Sequence, residues 1–441
     1  MVPYPAIEDS HRGNTQTKPA AKFVRLASAL VLVLVPYASL GETKAIATPQ
    51  DPPLGPACHG VQVEPGDHLQ RLIDRHHRRS TFCFASGVYQ LSGTVWTGSK
   101  FPRLDLRAGA VIDGQGGAFV GINGADAPRE QRGTIILGGV FQHFGNGSAP
   151  SWVSPVIVNR NWVVVGTEFT ENFNAGLGIQ GDGARVSRVN THHNGRYGLV
   201  VTAACADCPG LSGVVIEDSE IAFNNTRQLS VVDDAGGTKF SGGTSGMIVR
   251  HNDVHDNYGS GLWWDTNSRN AKVYRNRIYG NRNCGILYEA SLGGTKIHHN
   301  TLIDNAMGTG VVDWMLNVQL SIASSDGSRG GRDGIEIYAN TIGGDAYPLG
   351  LVTHAGRAST KQVRVHDNVL ILRATSSRVG GADASGTGEM FRPSGGNRFR
   401  ANTYRVLDPK AAYWAWNGQT LTWREWQALG HDANGNVEQV V

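Results

Sequence analysis

Charge is scarce in this sequence. Charged residues fill 17% of 441 positions, against the quarter that is usual, and they sum to only +3. No basic block is longer than Arg78-Arg79, so the contiguous positive footprint that holds nucleic acid is missing. Cysteine is scarce as well, and five over this length are too few for a disulfide scaffold. No regular leucine frame runs through the chain, which excludes a leucine-rich repeat. Glycine, by contrast, is abundant: 58 residues are about twice the average share, so turns outnumber helices and neither a coiled coil nor a helical bundle fits. A hydrophobic fraction of 40% suits a soluble core. The length exceeds what one ordinary core supports, yet fits a single domain whose core is elongated.

The run from Leu26 to Val35, LASALVLVLV, follows Arg12, Lys18, Lys22 and Arg25. A basic stretch and then a short apolar one is the pattern of a secretory signal peptide, and the run is too short for a membrane span. Small residues permit cleavage after Gly41 or after Ala47, the second being preferred; an uncleaved anchor is the alternative. Either form places the bulk of the chain in a secreted, periplasmic or cell-surface setting. There Cys58 with Cys83 and Cys205 with Cys208 are expected disulfides, leaving Cys284 buried and unpaired. Cys205-Ala-Asp-Cys208 is also open to reading as half a metal site or a redox pair. The expected plan is a signal or anchor over 1–47, a linker over 48–60, a repeat domain over 61–405 and a capping segment over 406–441.

Between residues 184 and 372 the chain repeats itself. Asn252, Asn276 and Asn300 stand 24 apart, and Asn340 and Asn368 hold the same place in EIYANTI and RVHDNVL. A second column, Asn194, Asn224, Asn257, Asn281 and Asn305, lies beside the first, followed by a Gly and an apolar residue as in Gly198-Leu199, Gly261-Leu262, Gly285-Ile286 and Gly310-Val311. Within each copy apolar and polar residues alternate in about three short runs, which is strand periodicity. One copy cannot bury its own apolar face, so copies must stack, and a period near 24 fits one coil of an all-β, three-strand parallel β-helix. Asn tolerates left-handed geometry at a tight turn, and its amide can bond the Asn one rung away. Upstream, Leu69, Leu72 and Ile73 follow EPGD as an amphipathic capping helix; downstream, Thr422-Trp423-Arg424-Glu425 reads as a capping box opening a short helix that Gly430 stops.

With EPGDHLQRLI followed by FASGVY, the Asn columns, and GLWWDTNS followed by GILYEAS, the sequence resembles the right-handed parallel β-helix, pectate-lyase-like superfamily, in its secreted bacterial branch. The resemblance covers roughly 61 to 405 and implies an extended polysaccharide lying along the coil. It does not select an activity, because this fold hosts lyases, hydrolases, epimerases and adhesins. The Asp-Pro-His-Asp motif associated with β-helix mannuronan epimerases is absent, as is a pectate-lyase signature.

Strand alternation after the turn glycine sends Trp263, Leu287, Val312 and Val352 outward as one row, and Asp265, Glu289, Trp314 and His354 as the next. Parallel rungs lie about 4.8 Å apart, so Asp265 and Glu289 become neighbours whose repulsion raises one pKa or calls for a cation. A protonated carboxyl beside an ionised one is the equipment of glycosidic hydrolysis. The one-rung separation leans towards retention, although β-helix hydrolases of the polygalacturonase type invert. Alternatively the two acids are solvated strand-end charges paired with Arg250, Arg275 or Arg277. Trp263, Trp314 and Tyr258 are candidate sugar platforms, with His354, Arg250 and Arg275 as further substrate contacts, while Trp264 and Tyr288 point inward. Asp233 and Asp234 could complete a Ca²⁺ site with the acid pair for a uronide lyase or epimerase, or be an acidic loop start. His192, His255, His298 and His299 recur at the repeat period and read as solvated stack members. The stretch SIASSDGSRGGRDG reads as a mobile flap. The alternative from another class is a non-catalytic glycan-binding or adhesin module; no protein partner is evident.

Overall fold

The computed structural model describes residues 57–124, 133–150, 153–203, 210–232, 235–307, 317–331 and 333–440. The chain is an all-β, right-handed parallel β-helix. Each coil contributes one strand to each of three faces. The first sheet runs from Val61–Val63 to Arg398–Arg400 in 13 described strands, the second from Gly87–Gln90 to Asn436–Gln439 in 13, and the third from Ile157–Val158 to Gln419–Leu421 in 11. Every pairing in these sheets is parallel except the final hairpin of Trp414–Trp416 with Gln419–Leu421. Strands from the C-terminal segment, Trp414–Trp416 and Asn436–Gln439, continue the coils.

Alternation explains the burial. In Ile335–Tyr338 the two isoleucines are buried and Glu336 and Tyr338 are not, and the same inward positions recur one rung away in Thr295–His298 and Val363–His366. The stacked inward residues form one continuous core from Val63 to Trp426. Trp264 and Tyr288 are fully buried in it, as expected. The Tyr288 hydroxyl lies 2.9 Å from the Ser268 carbonyl and 2.6 Å from that of Leu292, so its polar end is satisfied inside.

Both asparagine columns are hydrogen-bonded ladders. In the first, each Nδ2 donates to the Oδ1 of the next coil: Asn252 to Asn276 at 2.9 Å, Asn276 to Asn300 at 2.9 Å, Asn300 to Asn340 at 3.0 Å and Asn340 to Asn368 at 2.9 Å. It continues through Asn402 to the buried carboxylate of Asp432. The second runs from Asn172 through Asn194, Asn224, Asn257, Asn281 and Asn305 to Gln319. The left-handed residue is not the asparagine itself. It is the one before: His251, Arg275, His299, Ala339, Asp367 and Ala401 all have φ between 53° and 56°. The asparagine follows the turn, and its Oδ1 accepts the backbone N–H of the ladder residue one coil back, as Asn276 does for Asn252 at 3.0 Å. The glycine after the second column has a steric reason. A Cβ on Gly261 would stand 2.9 Å from Asn281 Nδ2, and one on Gly285 would stand 2.8 Å from Asn305 Nδ2.

The two caps take the expected form. Leu69–Arg75 is helical with Leu69 and Ile73 buried and Leu72 packed against the core. Trp423–Ala428 is a helix whose capping box joins Thr422 and Glu425. Cys58 and Cys83 form a disulfide and Cys284 is buried, whereas Cys205 and Cys208 lie outside the described residues, as does the segment 1–56. No helix among the described residues is long and apolar enough to cross a membrane. The histidines are not simply solvated. Tyr274, His298, Tyr338 and His366 stack face to face on the first sheet at 5.0, 4.8 and 5.2 Å, and His255 is buried against Tyr279 at 4.7 Å between Glu220 and Asp256.

Two stability predictions follow from the ladder and its cap. Asn276→Ala leaves the Asn252 N–H and the Val249 carbonyl without their side-chain partner and should cost on the order of 3 kcal/mol in denaturant unfolding. Ala339→Gly relieves a left-handed alanine and should change stability by less than about 1 kcal/mol, in the stabilising direction. At the far end, burial and the nearby Arg398 hold the His431 imidazole down at about 4. The unfolded chain therefore takes up a proton that the folded one refuses, so stability should fall as pH drops from 6.5 to about 4. In His431→Gln that slope should flatten.

Candidate active site

The third sheet carries the acid pair on its outer face. Leu262–Trp264 pairs with Ile286–Glu289 so that Trp263 faces Leu287 and Trp264 faces Tyr288, and continuing that register sets Asp265 opposite Glu289. One coil earlier, Phe240 pairs with Trp264, which brings the outward Lys239 opposite Trp263. Lys239 is the residue that sequence reading missed. Its ammonium lies 2.8 Å from Asp265 Oδ2 and 3.1 Å from the centre of the Trp263 ring. It thus joins a carboxylate and an aromatic face in one contact.

Trp263 is the principal correction. It was expected to be exposed as a sugar platform, but only 1% of it is accessible, packed with Cys284, Leu287, Ala323 and Val352. The outward direction is right, but the outer face of the sheet is covered there. Its indole N–H donates to Glu289 Oε2 at 3.2 Å, so Trp263 orients the acid instead of stacking on substrate.

Burial, followed by the negative charge of Asp265, pushes the Glu289 carboxyl above its ordinary value of 4.5; Lys239, the Trp263 hydrogen bond and Arg357 pull the other way without cancelling it. His354 Nδ1 is 4.0 Å from Glu289 Oε1. Behind Asp265 the phenol of Tyr197 is buried, and burial pushes its pKa up, with Asp265 adding to the shift. The pair remains partly accessible, at 23% for the Asp265 side chain and 18% for Glu289.

The rows beyond Glu289 differ from expectation. Glu289 pairs with Ala323, which pairs with Val352, so His354 lies further along its strand than the acid row. The coil after Asn305 is closed by Gln319, within the strand Val318–Ala323, and the Gly310-Val311 frame is not the one used. Trp314 and Val312 lie outside the described residues. The same strand corrects the expected flap: Ser321, Ile322 and Ala323 are buried sheet residues, and Ser325 is buried with its hydroxyl bonded to the Tyr288 carbonyl.

Other candidates are elsewhere. Arg250 sits on the first sheet, bonded to Glu217 at 2.7 Å and to the Tyr274 hydroxyl at 2.9 Å. Arg275 is an exposed left-handed turn residue between the first and second sheets. Neither arginine pairs with the acids, and Arg277 pairs with Asp253. Tyr258 is in the turn before the third sheet, half-buried with the Arg282 guanidinium 4.3 Å from its ring centre. Asp233 and Asp234 are outside the described residues, and among the described residues no cluster of three or more His, Cys, Asp or Glu side chains is placed to hold a metal ion.

Residues 156–342 match the family model described as the right handed beta helix region. Among solved structures the chain is similar to the A-module of a mannuronan C-5 epimerase from Azotobacter vinelandii, at 15% identity and TM-score 0.46, over 70% of this chain and 84% of that one. It is also similar to an alginate lyase from a Paenibacillus species, at 12% identity and TM-score 0.34, over 85% and 98%. A third is a lacto-N-biosidase from Eubacterium ramulus, at 10% identity and TM-score 0.38, over 86% and 62%. No curated protein matches the sequence. The resemblance to the pectate-lyase-like superfamily thus holds at the level of the fold.

The electrostatics generate a test. An acid whose pKa is raised by folding penalises the folded state once it ionises. Glu289→Gln should therefore raise the melting temperature at pH 7, and the gap to the parent should close as pH falls towards 4.5, where Glu289 is neutral in both states. A gap independent of pH would point to packing instead.

Proposed function

We propose that this chain is a polysaccharide-active enzyme that hydrolyses a glycosidic bond on the outer face of its third sheet, with Glu289 as general acid and Asp265 as nucleophile. The observation that carries this reading is the asymmetry of the pair: Asp265 is held as an anion by Lys239 at 2.8 Å, while Glu289 has its pKa raised by burial and by that anion. A proton donor and a carboxylate one rung apart, near 4.8 Å, approach the separation of about 5 to 5.5 Å found in retaining enzymes. Trp263 and Lys239 are positioning residues in this scheme, fixing Glu289 and Asp265 respectively. We further propose that the protein works outside the cytoplasm, led there by the apolar run at 26–35, a setting that suits the Cys58–Cys83 disulfide.

A second reading is supported by the placement of Lys239 and Tyr197 about Asp265. An ammonium and a phenol near one carboxylate suit β-elimination or C5 epimerisation of a uronide, in which a proton leaves the carbon beside a carboxyl group. Ca²⁺ would then assist by neutralising that carboxyl group, with Asp233 and Asp234 as the candidate additions to the acid pair.

Incubation with a panel of neutral and acidic polysaccharides, with Ca²⁺ or chelator, tests both. Hydrolysis gives new reducing ends without the absorbance of unsaturated uronides, and Glu289→Gln and Asp265→Asn should each lower the rate by roughly 100-fold or more. Reducing ends accompanied by that absorbance would replace the hydrolase with the lyase. Glycan binding with no product in either channel would leave a binding module.

A further inference from the structure

The first sheet carries a basic groove near its N-terminal end that has no part in the chemistry above. Thr81, Arg103, Ile135, Val163 and Arg185 pair in register on successive coils, so their outward side chains form a straight row along the axis of the stack. With Arg79 from the preceding turn they line a cavity of about 550 to 600 Å³. Ile135 and Val163 are half-buried and make an apolar floor between Arg103 and Arg185, which stand three rungs or about 14 Å apart. The acid nearest in register is Asp105, whose closer partner is Arg107 at 2.6 Å, with Arg103 at 3.9 Å. Arg79 and Arg185 are exposed, and no acidic side chain lines the groove.

We propose that this groove is a second glycan site, for an anionic polysaccharide lying along the stack axis. Fixed guanidinium forks suit carboxylate or sulfate groups, and the β-branched floor suits the C–H faces of the pyranoses between them. A single-stranded nucleic acid would be expected to need exposed aromatic platforms, but Phe101, the aromatic residue at the groove, is buried, with the Arg78 guanidinium 5.2 Å from its ring centre. The site is on a different sheet from Asp265 and Glu289 and stands whether or not that pair is catalytic.

The test is calorimetric titration of the Glu289→Gln chain with polygalacturonate, dextran sulfate, neutral dextran and an oligonucleotide. The two anionic glycans should bind, the neutral one should not, and added salt should weaken binding. Adding Arg79→Asn and Arg185→Gln to that chain should lower affinity for the anionic glycans at least 10-fold; Asn suits the left-handed turn at position 79, and thermal unfolding checks that the fold is kept. Preference for polygalacturonate would assign the site to uronates, and preference for dextran sulfate to sulfated chains. Unchanged affinity in a folded double arginine variant, equal binding of neutral dextran, or stronger binding of the oligonucleotide would overturn the proposal.

Discussion

The architecture depends on the pairing of a left-handed turn residue with a buried asparagine. A three-sided coil must bend sharply between strands, and the sequence does so with residues as varied as His251, Arg275, Ala339 and Asp367 at φ near 55°. Such conformations cost roughly 1 to 2 kcal/mol each for residues other than glycine. They also leave backbone groups at the bend that no sheet can satisfy. The asparagine that follows supplies those bonds and links each bend to the next, so the cost of the turn is offset only when coils are stacked in phase. Cooperative stacking is thus built into the bend itself.

That phase lock also explains how the acid pair comes to exist. In-register parallel coils put equivalent residues of successive repeats side by side, and like charges at equivalent positions become neighbours whether or not the local chemistry favours it. The structure manages the repulsion by placing a cation one coil earlier and an indole N–H on the next acid. Lys239 touches both Trp263 and Asp265, so a single substitution there would disturb the charge of one acid and the packing of the group that orients the other.

The fold was legible because its rule is periodic: Asn252, Asn276 and Asn300 at equal spacing, with alternating runs between them, specify coil, faces and ladder together. The neighbourhood of Asp265 and Glu289 was legible for the same reason, since both lie in the two uninterrupted 24-residue repeats. Legibility failed at insertions. Lys239 follows a long excursion after Asn224, and Thr238 stands there where other copies have Leu or Ile, so the strand Gly236–Phe240 did not stand out. Past Asn305 the frame seemed to resume at Gly310, but Gln319 takes the ladder position, its longer amide replacing asparagine in kind though not in name. The burial of Trp263 had no local signal, because alternation gives the direction of a side chain and not what lies over it.

Asp432 gives the stack an electrical direction. Every amide in the first ladder donates towards the C-terminal end and accepts from the N-terminal one, so the side-chain dipoles add along the axis, whereas the alternating backbone dipoles of the sheets largely cancel. The positive pole falls where Asn402 has its N–H groups left to give, and there the chain places a carboxylate that takes both, at 3.0 and 2.9 Å, while also accepting from Tyr404 and Trp426. An anion at that pole does for a column of side chains what an acidic residue does for the first turn of a helix. The column therefore has a head and a tail, and a further coil could extend it at the C-terminal end only by displacing the charge that closes it.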